Sequence, residues 1–180
     1  MVEPLPTGPY SIIYADPPWS YRAWSGQKSR TADSHYSTMS RRDLLELPVD
    51  AIAARDAVLF LWTTAPTLPQ GLELIEAWGF RYKTVAFTWV KRNRKSGGWA
   101  WGLGHYTRAN AEFCLLGTRG HTLPRESHSV HSVIDAPRGR HSEKPSETRD
   151  RIVELFGDLP RIELFARQRA DGWDAWGDEI

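Results

Sequence analysis

The chain has 180 residues, 41% of them hydrophobic and 25% charged, with a net charge of +1. That length supports one domain with its own core, and the near-neutral balance excludes a polycationic surface spread over the whole molecule. No apolar run approaches the roughly 20 residues that cross a bilayer, the opening MVEPLPTGPY lacks the basic and apolar parts of a secretion signal, and a lone Cys114 excludes a disulfide framework and suits a reducing cytoplasm.

YSIIYA (10–15) is short, rich in β-branched residues and ends at Asp16, as a buried strand does. SRRDLLELPVDAIAA (40–54) opens with Ser40 three residues before Asp43, a helix-capping arrangement, and Pro48 must split it. AVLFLWTT (57–64) is continuously apolar, as expected of a strand covered on both faces. LPQGLELIEAWG (68–79) spaces Leu72, Ile75 and Trp78 along one helical side and stops at Gly79. KTVAFTWVK (83–91) and AEFCLLGT (111–118) read as strands. PSETRDRIVELFG (145–157) has Pro145 and acidic residues early, an apolar stripe of Ile152, Leu155 and Phe156, and Gly157 as its stop. RIELFAR (161–167) is expected to be the last strand, with Arg167 at its end.

This alternation implies an α/β chain, a largely parallel central sheet with helices on both faces. Ligands then collect beyond the carboxyl ends of the strands, where Asp16 and Arg167 should both reach. We expect one domain over 1–180, with mobile loops at that edge near 20–38, 92–110 and 119–143.

Nine tryptophans is a high count. Trp62, Trp78 and Trp89 lie inside apolar runs and read as core; Trp19, Trp24, Trp99, Trp101, Trp173 and Trp176 have loop-like surroundings. Basic clusters lie close by: Lys91, Arg92, Arg94 and Lys95 in KRNRK, and Arg138, Arg140 and Lys144 in PRGRHSEK. Cations for phosphates beside flat faces for bases suit a binder of unstacked nucleic acid. His121, His128 and His131 lack the cysteine or carboxylate companions of a closed metal site, so no metal is expected, and Cys114 reads as core.

Residues 14–19 read YADPPW. An aspartate at a strand end is most often a turn former. Here Pro17 and Pro18 stiffen the turn and remove two donors, so that Asp16 and the Pro17 carbonyl become fixed acceptors beside the Trp19 indole. Two acceptors and a stacking wall match a planar ligand with an exocyclic amine. Adenine extruded from its stack is such a ligand. Drawing the amine's hydrogens toward fixed acceptors frees the nitrogen lone pair to attack an electrophile such as a methyl sulfonium, with positioning and electrostatics supplying the acceleration.

ADPPW followed in order by HYSTMS (35–40), LFLWTT (59–64), FTWVKRN (87–93), GHYTRANAEFCLLG (104–117), EKPSE (143–147) and IELFAR (162–167) resembles the MT-A70 family, from about Tyr10 to the C-terminus. These are S-adenosylmethionine-dependent adenine-N6 methyltransferases, and this chain is similar to the small bacterial and phage members. The resemblance implies a Rossmann-like methyltransferase fold with S-adenosyl-L-methionine as cofactor. It implies catalytic roles for Asp16, Pro17, Pro18 and Trp19, with Asp16 also beside the cofactor's amino group. Lys144 corresponds to the family lysine at the cofactor carboxylate. Phe165, Arg167, Arg169 and Asp178 fall where the family holds the cofactor ribose, with Arg169 in place of histidine and Gly177–Asp178–Glu179 in place of a Gly-Asn-Gln sequence. Arg108, Asn110 and Glu112 match a block beside the active site and are substrate candidates, as are Lys91, Arg92, Arg94 and Lys95 for phosphate and Trp19 for the base. The implied partner is nucleic acid, DNA ahead of RNA, with no membrane. An upstream segment that helps hold the cofactor adenine in long eukaryotic members has no counterpart before Asp16, so a homodimer or partner subunit could complete the pocket. A non-catalytic nucleic-acid-binding subunit is the competing reading, and intact DPPW with Lys144 argues against it.

Overall fold

The computed structural model describes residues 4–19, 39–139, 143–178 and 180. Among them, seven strands form one sheet in the order β5-β3-β4-β2-β1-β6-β7. They are β1 (Tyr10–Ala15), β2 (Ala53–Thr63), β3 (Arg81–Arg92), β4 (Glu112–Arg119), β5 (Val133–Pro137), β6 (Arg161–Leu164) and β7 (Asp174–Trp176). Neighbours pair in parallel except at β4, which runs antiparallel to both β2 and β3. The chain is therefore mixed α/β with a mostly parallel sheet.

Side chains alternate across a strand, so a continuous apolar run feeds two cores at once. Ile13 and Ala15 of β1 and Leu59 and Leu61 of β2 pack with Leu44, Val49, Leu74, Ile75 and Trp78. The intervening Ile12, Tyr14, Val58, Phe60 and Trp62 pack with Ile152 and Phe156. The first group seats α1 (Arg41–Glu46), α2 (Val49–Ile52) and α3 (Leu68–Ala77); the second seats α4 (Glu147–Phe156) on the opposite face. Ser40 caps α1, its hydroxyl accepting from the Asp43 N–H at 3.1 Å, and the chain breaks at Pro48 before α2, as the sequence requires. Gly117 of β4 lets α3 lie close to the sheet, because a Cβ there would sit 3.0 Å from Ile75 Cγ2. Gly157 ends α4 at φ 75°, a conformation other residues rarely take.

Three expectations need correction. β5 lies inside 119–143, which reads as a loop: it hydrogen-bonds alongside β3, with only Ile134 fully buried. The strand at 161–167 stops at Leu164, where Phe165 turns out of the ladder at φ 60°, so Arg167 lies three residues beyond it. It is also not the last strand, since β7 follows on the sheet edge. Of the tryptophans with loop-like surroundings, Trp19, Trp173 and Trp176 are buried, whereas Trp99 and Trp101 are exposed. Trp24 and all of 20–38 lie outside the described residues, as do Arg140 and Glu179.

Candidate active site

The sheet's period of two places the site. On the α4 side of the sheet, Tyr14 is followed two residues on by Asp16, and Trp89 by Lys91, while Cys114 is preceded by Glu112. The reversal of β4 puts the start of that strand at the same edge as the ends of its antiparallel neighbours β2 and β3, with Trp89 opposite Glu112 and Trp62 opposite Cys114. Lys144, in the segment entering α4, completes the group from the covering layer. Four ionisable side chains far apart in the chain are thus brought to one rim.

Lys144 Nζ donates to Asp16 Oδ2 at 2.8 Å and lies 3.2 Å from Glu112 Oε2. Lys91 Nζ bonds to the other Glu112 oxygen. The side chains of Glu112, Lys144 and Asp16 retain only 8, 10 and 18% exposure, so water screens them little. Lys144 also lies 5.7 Å above the Trp62 ring, and Lys91 lies 5.1 Å from the Trp89 ring.

Two ammonium groups serve two carboxylates, but unevenly. Burial pushes Glu112 up, yet Lys144 and Lys91 together outweigh it and hold the carboxyl below its usual range. Asp16 shares only Lys144, so burial prevails and its carboxyl is raised, with Glu112 adding to the rise and Arg167 opposing it. Burial likewise opposes the charge on Lys144, but its two carboxylate neighbours reverse that and raise its proton affinity. Environments that push two nearby carboxyls apart are characteristic of sites with divided acid–base roles. Glu112 is thus far more central than a residue merely entering a strand would be, and Lys91 belongs to this buried cluster, not to the exposed basic run.

The DPPW turn is stiffened from within. The Trp19 N–H donates to the Pro17 carbonyl at 2.8 Å, so that oxygen is not bare; its second lone pair is the one left for another donor. Pro18 O accepts from Met39 N–H at 3.4 Å. Trp19 is mostly buried, and its indole Nε1 donates to the Trp62 carbonyl at 3.1 Å. It props the turn from behind. Beneath, Trp62 Nε1 donates to the Tyr14 hydroxyl at 2.7 Å, and burial pushes that phenol well above its ordinary range.

The remaining candidates separate by surroundings. Asn110 accepts from the Lys91 N–H at 2.9 Å and donates to the Lys91 and Ala100 carbonyls at 3.0 and 2.8 Å, so it pins the loop after β3 to the strand. Arg92 pairs with Asp135 at 2.7 Å and stacks 3.6 Å from the Trp99 ring centre. Arg94 and Lys95 line a cleft of about 600 Å³ together with Arg138, Lys91 and Trp89. Arg108 is exposed and donates to the Gly102 carbonyl at 2.9 Å. Phe165 packs between Trp78 and Trp176, with ring centres 6.4 and 5.4 Å away. Arg167 is half-buried and close enough to act electrostatically on Asp16, whereas Arg169 and Asp178 are exposed. Cys114 is fully buried with its thiol pushed up by that burial, as a core residue. No group of three potential metal ligands occurs among the described residues, and no helix there is long and apolar enough to cross a membrane.

A family model described as MT-A70 matches residues 10–179. The type II methyltransferase M.MunI of Mycoplasma sp is 38% identical over 193 residues, spanning 98% of this chain and 80% of that protein. A probable N(6)-adenosine-methyltransferase MT-A70-like of Oryza sativa subsp. japonica is 29% identical, over 96% of this chain and 23% of its own length. The N(6)-adenosine-methyltransferase catalytic subunit METTL3 of Homo sapiens is 27% identical, over 96% of this chain and 28% of its own length.

Proposed function

The chain belongs to the MT-A70 family of adenine-N6 methyltransferases, and from that premise we propose that it transfers a methyl group from S-adenosyl-L-methionine to the 6-amino group of adenine in DNA, using Asp16 and its rim partners. The observation that carries the residue assignment is the Asp16–Lys144–Glu112–Lys91 cluster at the carboxyl edge of the sheet. Our choice of DNA over RNA draws support from the higher identity and coverage with a type II methyltransferase than with the N(6)-adenosine-methyltransferases. We further assign the sheet to a Rossmann-like methyltransferase architecture in a single domain, in keeping with β1 near the centre of a mostly parallel sheet and the rim at its strand ends. The single buried thiol suits a reducing cytoplasm.

The amino-acid end of the methyl donor is a zwitterion and needs an acceptor and a cation side by side. Asp16 and Lys144, 2.8 Å apart, are such a pair, so the residues present fit the group. When bound, it supplies an electrophilic methyl carbon on sulfur. Asp16, with the free lone pair of the Pro17 carbonyl, would accept the N–H groups of the adenine amine and fix its nitrogen. The raised proton affinity of Asp16 suits it to receive the proton that the amine sheds after transfer. Lys144 keeps Asp16 ionised until then, and Glu112 with Lys91 holds Lys144 in place. Arg94, Lys95 and Arg138 would take phosphates flanking the target.

Incubation with methyl-labelled cofactor and DNA or RNA oligonucleotides, followed by digestion to nucleosides, tests the reading. Label in N6-methyladenine from DNA supports it. Label in cytosine overturns the base assignment, and label from RNA alone overturns the polymer.

A further inference from the structure

The loop between β3 and β4 is strapped along its length and open at its tip. Trp99 bridges to Arg92, the Ala100 N–H donates to the Lys91 carbonyl at 2.9 Å, and the Gly102 N–H donates to the Ala109 carbonyl at 2.7 Å. Asn110 and Arg108 add side-chain ties on the same stalk. Beyond these rungs, Leu103 is 90% and Tyr106 99% exposed, with Trp101 behind them at 56%. Tyr106 is also held at φ 67°, a backbone state that costs an aromatic residue free energy. The tip is tight: a Cβ on Gly104 would lie 2.0 Å from the Thr107 carbonyl oxygen. A fixed stalk holding large apolar side chains out in water contributes nothing to the core that would account for them.

Its surroundings indicate what covers the tip. Arg94, Lys95 and Arg138 line the cleft at the β3 end of the stalk, and Arg108 is tied to Gly102 beside the tip. A second copy of this chain would bring the same cations against them, whereas a phosphate backbone neutralises them. The proposed chemistry also needs a base extruded from its stack, which leaves a vacancy that apolar wedges fill in proteins that distort duplex DNA. We propose that Leu103 and Tyr106 form a wedge that enters duplex DNA at the position vacated by the target adenine. This rests on the reading of the chain as a DNA adenine methyltransferase.

The test compares wild type with Leu103→Ala/Tyr106→Ala on two substrates: a fully paired duplex, and the same duplex with an abasic site opposite each target adenine, where extrusion is already easy. We expect methyl transfer to fall about tenfold or more on the paired duplex and less than about threefold on the abasic one. Equal loss on both, or no loss on either, overturns the wedge. So does a wild-type dimer that becomes monomeric in the variant by sedimentation, with equal loss on both substrates. Anisotropy binding to the two duplexes separates the wedge from the activity: should wild type methylate no adenine, the variant must still lose affinity for paired over abasic DNA, and parallel changes refute it.

Discussion

Glu112→Gln removes one negative charge from the centre of the rim while keeping side-chain volume and one acceptor oxygen. Lys144 Nζ lies 3.2 Å from this carboxylate, and Lys91 bonds to it as well. At that separation and an effective dielectric of about 20, attraction to Lys144 alone is about 5 kcal/mol before desolvation is subtracted. Breaking one side of a buried pair costs about 3–5 kcal/mol. With the amide oxygen retained we expect about 3 kcal/mol, or a fall in Tm of about 6–12 °C for a chain of this length. The pH dependence fixes the sign. Burial pushes Glu112 up, but its lysines hold it below its ordinary range, so its stabilisation is complete above the unfolded value and is lost as pH falls through the folded one. The Tm gap between wild type and variant therefore closes as pH drops below about 4.3. Activity shifts separately: Asp16 loses a neighbour that raises it, and Lys144 no longer divides its charge with a second carboxylate, so the acid limb of single-turnover methyl transfer moves to lower pH. Calorimetric melting over a pH series and the pH–rate profile check both. A Tm gap that persists in acid, or an acid limb that stays in place, refutes this account of the cluster.

Asp16→Ala should lower transfer by at least about 100-fold, while the melting temperature at neutral pH stays level or rises. The raised Asp16 carboxyl favours the folded state only at acid pH, and that contribution is lost as pH rises through its folded value; activity within tenfold of wild type would refute its role. Lys144→Ala strips Asp16 of its ammonium partner beside a Glu112 held by Lys91 alone, so we expect about 3–5 kcal/mol of destabilisation and a cofactor Kd raised about tenfold or more, read by denaturant melts and titration calorimetry. Arg149 and Glu163 form a mostly buried pair at 2.9 Å, with burial pushing the Glu163 carboxyl up. Arg149→Ala should cost about 3–5 kcal/mol, and adding Glu163→Gln should recover part of it, because the stranded charge is then gone.

The main strands and helices were legible because their signals are local. YSIIYA matches β1 residue for residue, and Gly79 and Gly157 mark the ends of α3 and α4. β5 and β7 were hidden: Val133–Pro137 is an edge strand with one fully buried side chain, and β7 has three residues, too short for any period to show. Asp16 and Lys144 could be picked out from DPPW and KP. Lys91 was obscured by the basic run that follows it, although Phe87, Trp89 and Lys91 already share a face by alternation. Glu112 carries the same signal from the other direction, two residues before Cys114, but reading it requires knowing that β4 is reversed. Trp19 could not be told from an exposed aromatic, because what buries it comes from distant segments.

Because the partners at residues 16 and 144 are 128 positions apart, with residue 112 between them, no fragment that lacks either end of that span can assemble the cluster. A polypeptide growing from its N-terminus carries the Asp16 carboxylate early but meets its counter-ion only late in synthesis. Such distant closures are slow to form and come with the finished topology. Until then the Asp16 carboxylate has no ammonium beside it, so the proposed methyl transfer would itself report that these distant segments have come together.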